Sequence, residues 1–283
     1  MRILRDRAGE LMSKGDTDEA IHAASAAVEK SQHGLSTDED SVVAFATSLE
    51  VRGDIYRQIG NLEEARDDYR QAIMVLEERE DHDAQLGRLY AGLGAVYDLM
   101  GRREETENAW TRAVEHFEAM DPPGLLDVAA MCNNLAFLRR SAGDYDAAET
   151  YFLKALEISH RELGPQHEET ALLCNNLGAC YQAAGFFEQA REMHMMALET
   201  RVAEFGEGHP DTAQSHNNLA LALVMTGDAG AAGEHFQMAV DGFSSAGDGY
   251  ADELQAVMGN YSEFLRQNGE SAKAAEIEAQ LAG

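Results

Sequence analysis

The sequence predicts an all-α fold, a solenoid of about seven helix-turn-helix units running through residues 1–283. Three observations carry that prediction. The triplet Asn-Asn-Leu recurs at Asn133-Asn134-Leu135, Asn175-Asn176-Leu177 and Asn217-Asn218-Leu219, always 42 residues apart. A glycine follows each copy at one offset (Gly143, Gly185, Gly227), and alanines keep step at Ala148, Ala190, Ala232 and at Ala155, Ala197, Ala239. Apolar residues on either side of the glycine follow helical spacing, and no useful length of chain alternates with period two. Self-similarity at a period of roughly 20–50 residues marks an array of small stacked units. Such an array presents a long surface, which suits the binding of another macromolecule.

From the N-terminus, the first unit centres on Gly15 with Ala20 and Ala27, and the second on Gly60 with Ala65 and Ala72. The third centres on Gly101 with Ala113; the clear copies at Gly143, Gly185 and Gly227 follow, then Gly269 with Ala274. No residues are left over for another domain, and the end units are degraded, as terminal caps are. In the fourth unit Val128, Cys132, Leu135 and Leu138 form the apolar stripe before Gly143, and Ala148, Phe152, Ala155 and Leu156 the one after it. The glycine lets the first helix end at positive φ. Asp144 and Asp228 are placed to cap the second helix. Ala136, Gly178 and Ala220 are expected to face Ala148, Ala190 and Ala232 across a close helix contact. Pro122, Pro123, Pro165 and Pro210 fall between units and leave the helices unbroken.

The small-residue pattern resembles the tetratricopeptide repeat, most visibly in Leu93, Gly94, Tyr97, Trp110 and Ala113. A plain repeat of that family has 34 residues, so each unit here is longer. The loops Leu163-Gly164-Pro165-Gln166-His167-Glu168-Glu169-Thr170 and Phe205-Gly206-Glu207-Gly208-His209-Pro210-Asp211-Thr212, with Asn-Asn-Leu and the 42-residue step, look like the kinesin-light-chain type of repeat. The match is strong from Leu126 to about Phe243 and weak elsewhere. It implies a right-handed superhelical array and a non-enzymatic adaptor. A chain built of such repeats also looks like the bacterial kinesin light chains, found alongside bacterial tubulins, which implies a bacterial tubulin polymer as partner. The competing reading is a regulatory adaptor that holds a short extended peptide.

Composition narrows the partners. Lys and Arg number 22 against 51 Asp and Glu, a formal charge of −29. That balance argues against nucleic acid and against a basic surface for anionic membranes. Acidic blocks such as Asp38-Glu39-Asp40 and Glu77-Glu78 read as solvated faces. The start, Met1-Arg2-Ile3-Leu4-Arg5-Asp6-Arg7, has charge but no apolar stretch behind it, so no signal peptide is expected. No apolar run approaches the length of a membrane span. A cytoplasmic protein is expected, and the sequence leaves its oligomeric state open. Cys132, Cys174 and Cys180 read as buried small hydrophobes, and the ten histidines scatter without metal-ligand spacing. No phosphate loop, Gly-x-Ser-x-Gly or His-Glu-x-x-His is present, and Gly92-Leu93-Gly94 lies inside a helix, so neither catalysis nor a cofactor is expected. In the methionine cluster Met196 is expected in the core, with Met193 or Met195 exposed and available to a partner.

The family pattern places Asn133, Asn175 and Asn217 on the concave side, lined by the first helix of each unit. One amide per unit can donate to and accept from the backbone of an extended segment. The alternative is that these amides bond neighbouring helices and hold the array; the second asparagines, Asn134, Asn176, Asn218 and Asn260, fit that structural role. One and two turns further along the groove lie Phe137, Arg140, Ala179, Gln182, Leu221 and Val224, and earlier units add Asp54, Arg57, Arg88 and Asp98. This lining is mixed. It lacks both the cationic cluster that clamps a chaperone carboxylate and the basicity that reads acidic cargo in eukaryotic kinesin light chains. The heptad region by which those chains join a motor subunit is missing too, so no motor association is carried over.

Overall fold

The computed structural model describes residues 2–281, with side chains from Arg7 to Ala279. Met1 and the side chains of residues 2–6, which carry most of the basic N-terminal stretch, lie outside the described residues. The described chain is α-helical with one 3-10 turn at Asp248–Tyr250 and contains no strand. The helices come in consecutive pairs: α1 (Arg2–Ser13) with α2 (Thr17–His33), α3 (Glu39–Gln58) with α4 (Leu62–Leu76), α5 (Asp83–Leu99) with α6 (Arg103–Ala119). There follow α7 (Leu125–Ser141) with α8 (Tyr145–Glu162), α9 (Glu168–Ala184) with α10 (Phe187–Phe205), α11 (Pro210–Thr226) with α12 (Ala229–Ala246), and α13 (Ala251–Gln267) with α14 (Ser271–Leu281). The chain divides into two compact units, residues 1–138 and 139–283, with the division inside α7.

The turn within each pair is made by the repeat glycine. Gly15, Gly60, Gly101, Gly143, Gly185, Gly227 and Gly269 all take φ between 71° and 87°. A Cβ at Gly185 or Gly227 would meet nothing, so backbone conformation and not space demands glycine there. The next helix starts on a cap: Asp144 accepts from the Ala147 amide (3.3 Å) and Asp228 from the Ala231 amide (3.1 Å). Between pairs, the loop histidines cap in turn. His167 Nδ1 accepts from the Glu169 amide (3.1 Å) and His209 Nδ1 from the Asp211 amide (3.2 Å). Pro210 is the first residue of α11, where its missing N–H is harmless.

Gly178 has a different nearest partner from the Ala190 expected. A Cβ on Gly178 would lie 2.7 Å from the His194 ring, one helical turn beyond Ala190. The same 16-residue offset sets Gly94 against Trp110 (2.4 Å) and Gly53 against Tyr69 (3.4 Å). In these three pairs the second helix lays a ring over the glycine of its partner helix, and a Cβ at Gly94 or Gly178 would displace it. Phe152 and Phe236 hold the equivalent sequence positions, and all five residues are buried. In one repeat histidine takes the aromatic position. The alanines at Ala148, Ala190 and Ala232 are fully buried as well, so both small positions are needed.

Cys132, Cys174 and Cys180 are buried free thiols. Met196 is not in the core: it is 43% exposed, alongside the exposed Met195, because the neighbouring His194 and Ala197 occupy the inward face of α10.

Candidate protein-binding face on the first helices

The expected site residues sit on the first helix of successive pairs. Arg57, Arg88, Asn133 and Phe137 belong to the first unit, carried by α3, α5 and α7. Arg140, Asn175, Gln182, Asn217, Leu221 and Val224 belong to the second, carried by the end of α7, α9 and α11.

In the second unit Asn175, Asn217, Asn218 and Asn260 form a ladder between first helices. Asn218 on α11 donates from Nδ2 to Asn175 Oδ1 on α9 (2.7 Å). Asn260 on α13 donates from Nδ2 to Asn217 Oδ1 on α11 (3.1 Å). Gln214 donates in turn to Asn218 Oδ1 (2.9 Å). The dipeptide is thus self-complementary: the second asparagine of one repeat serves the first asparagine of the repeat before it. The structural role expected of the second asparagine holds for Asn218 and Asn260. The pairing occupies one lone pair on each carbonyl oxygen of Asn175 and Asn217 and does not use their amide N–H groups. An acceptor-rich ligand, such as the carbonyl edge of an extended backbone, matches those donors. Asn175 is half-buried, whereas Asn217 keeps only 6% exposure. Leu221 and Val224 are partly buried and pack on the core of Phe236, Val257 and Phe264.

In the first unit the cationic positions are committed to acids. Arg88 Nε donates to Glu50 Oε1 (3.1 Å), and Glu50 is itself buried and accepts from Gln85 (3.2 Å). Arg57 lies 4.0 Å from Asp54, which accepts from the buried Tyr69 hydroxyl (2.6 Å). Burial, followed by the Asp54 charge, pushes the Tyr69 phenol above its usual range. Both arginines therefore have an acidic neighbour within the protein. A burial-driven commitment of this kind could not be seen in the sequence, where nothing marks Glu50 as buried.

Buried polar groups also tie the second unit together. Arg201 is 5% exposed; it donates to Glu168 (2.8 Å), to Ser215 Oγ (3.1 Å) and to the Asp211 carbonyl (3.3 Å). It joins α10 to the starts of α9 and α11. His216 Nδ1 faces His235 Nδ1 at 2.8 Å, and its Nε2 meets Glu207 at 2.9 Å. Burial and the nearby His216 lower the His235 pKa. Among the described residues no group of three His, Cys, Asp or Glu could hold a metal ion, and no helix is long and apolar enough to cross a membrane.

Paired helices, glycine turns and the ring-over-glycine contact define a helical-repeat binding protein. Tetratricopeptide-repeat profiles match residues 5–83, 127–201 and 171–245, more than half of the chain. The chain belongs to the tetratricopeptide-repeat family. Among solved structures it is similar to BtubC (BKLC) from P. vanneervenii, with 25% identity, a TM-score of 0.68, and coverage of 87% of this chain and 93% of that one. A kinesin light chain repeat protein of Podospora anserina shares the fold at 19% identity and TM-score 0.62, covering 72% and 96%. A repeat protein from Cytophaga hutchinsonii does so at 15% identity and TM-score 0.66, covering 98% and 93%. Comparison with curated protein sequences gives no match.

Proposed function

We propose that the chain is a non-enzymatic protein-binding scaffold of the cytoplasm and that its partner is a bacterial tubulin polymer. The likeness to BtubC, which extends over nearly the whole of both chains, supports this reading together with the repeat subtype. The net charge of −29 makes an acidic filament surface a poor match, so contact runs through neutral hydrogen bonding and apolar groups of the first-helix face. Co-sedimentation with assembled bacterial tubulin tests it. The chain should pellet with polymer and saturate; a chain that stays in the supernatant at every polymer concentration contradicts it.

A second reading has its own support in the ladder. Asn175 keeps a half-buried amide donor and Asn217, one repeat on, a donor with 6% of the residue exposed, a spacing that suits the backbone of a short extended peptide. Binding to a peptide array, lost on substitution of these asparagines, favours a peptide-responsive adaptor over the filament.

A further inference from the structure

In the first unit α4 and α5 form a cleft lined by none of the candidate residues of the first-helix face. Its floor is Tyr90 and Leu93 of α5, and one wall is α4, through Arg70, Ile73, Met74 and Glu77. The cavity measures about 670 Å³. It runs on, past Glu77, into a second hollow of about 680 Å³ under the α4–α5 loop, bounded by Arg112 and His116 of α6. The floor is held firmly. The Tyr90 hydroxyl donates to Glu77, His116 stacks on the Tyr90 ring at 5.5 Å, and Arg112 lies over the same ring at 5.6 Å. His116 is held in turn by Asp83 (2.7 Å).

The cleft has a polarity. Arg70 stands at one end, Met74 in the middle and Glu80–Asp81 at the other end. Arg70, Met74 and Glu77 lie at i, i+4 and i+7 on α4, one stripe along the cleft. Met74 is 65% exposed, the most exposed large hydrophobic side chain described. Asp81 takes φ 65°, a left-handed conformation that asparagine and aspartate tolerate better than other side chains, and closes the loop over the second hollow. The other charged groups along the cleft are satisfied. Arg79 and His82 pair with Glu39, Arg112 with Glu77 and Glu115, Asp67 with Arg66, and His116 with Asp83. Arg70, Glu80 and Asp81 form no ion pair among the described residues. One cation and two anions therefore remain, on opposite sides of an exposed methionine.

We infer that this cleft docks a protein segment with an acidic residue, an apolar centre and a basic residue in that order from Arg70 to Glu80–Asp81. The apolar centre covers Met74, and the two charges meet the unpaired groups. The stretch from Arg70 to Glu77 spans about 10 Å of helix at 1.5 Å per residue, with Glu80–Asp81 beyond it, so a short helix of two to three turns is long enough to follow the cleft. A flexible methionine thioether adapts to such an apolar contact. This surface is separate from the asparagine face and goes beyond the reading above.

The probe is a fluorescently labelled synthetic helical peptide with Glu, two Leu and Lys at i, i+3, i+4 and i+7. A twin peptide carries Gln in place of both the Glu and the Lys. Fluorescence anisotropy is measured with the full chain, with Met74→Glu and with Arg70→Glu. The charged peptide should bind about fivefold or more tighter than its twin, as two exposed charge pairs allow. Met74→Glu should abolish binding, and Arg70→Glu should erase the preference between the peptides. Both sites are exposed, so circular dichroism should show both variants folded. Equal binding of the two peptides, full binding by a folded Met74→Glu variant, or no binding at ~1 mM would overturn the inference. An Asn175→Ala, Asn217→Ala chain should bind the probe like the parent; loss there would assign the peptide to the first-helix face instead.

Discussion

Replacing His194 by phenylalanine should stabilise the protein and flatten its response to acid. His194 is 1% exposed, and neither ring nitrogen has a hydrogen-bond partner. Burial lowers its pKa from 6.5 to about 4. Above pH 6.5 the ring is neutral in both folded and unfolded chains, and its contribution does not vary with pH. Below 6.5 the unfolded chain takes up a proton that the folded chain refuses, so stability falls until the pH reaches about 4. At 1.36 kcal/mol per unit, the accumulated loss is about 3 kcal/mol. At pH 7 the unbonded ring nitrogens cost on the order of 1–3 kcal/mol, which phenylalanine would recover. The equivalent positions hold Phe152 and Phe236, so the slot accepts that ring, and Gly178 leaves room beneath it. Urea unfolding of parent and His194→Phe at pH 7, 5.5 and 4.5, followed by circular dichroism, measures both effects. Carboxylates titrate in both proteins and cancel in the difference. An identical pH dependence in the two, or a less stable variant at pH 7, would refute the reasoning.

Other outcomes follow from the same structure. Arg201→Met should destabilise the chain by about 3 kcal/mol, because Glu168 loses a buried partner and Ser215 a donor; a change below about 0.5 kcal/mol would contradict that placement. Thiol labelling of the native protein should be slow, since burial pushes Cys174 up to about 11 and also raises Cys180; rapid labelling of all three cysteines would contradict it. If residues 1–283 behave as one array, the unfolding curve of Trp110 fluorescence, which reports on the first unit, should coincide with that of total helicity. Separate midpoints would show two independently unfolding units.

The repeat architecture was readable because packing in stacked units reuses the same positions. The 42-residue step located the glycine turns, the Asp144 and Asp228 caps and the cysteine slot. What the sequence concealed were matters of facing between adjacent positions on one helix. His194 and Met196 are two residues apart, some 200° around the helix, and residue type points the wrong way for both. Hydrophobicity favours burying Met196, yet His194 holds the position of Phe152 and Phe236, and Met196 that of the exposed Lys154. Alignment at the repeat step carried that signal. The ladder was hidden for another reason: its bonds join residues 43 apart, one more than the repeat. Only the offset between neighbouring helices selects the second asparagine as donor. Charge commitment in the first unit, such as Arg88 with Glu50, depends on burial that no spacing reveals.

The most direct test of the first-helix face compares two double variants in one binding assay, using whichever partner the co-sedimentation or array experiment identifies. Asn175→Ala with Asn217→Ala removes the amide donors and breaks the ladder; Asn218→Ala with Asn260→Ala breaks the same ladder but keeps the donors. Melting temperatures should fall by similar amounts in both. Each lost neutral hydrogen bond to a ligand weakens binding by about 0.5–1.5 kcal/mol, so the first variant should bind roughly tenfold or more weakly than the second. Equal affinities in the two variants would show that the asparagines serve the scaffold alone and would contradict the account.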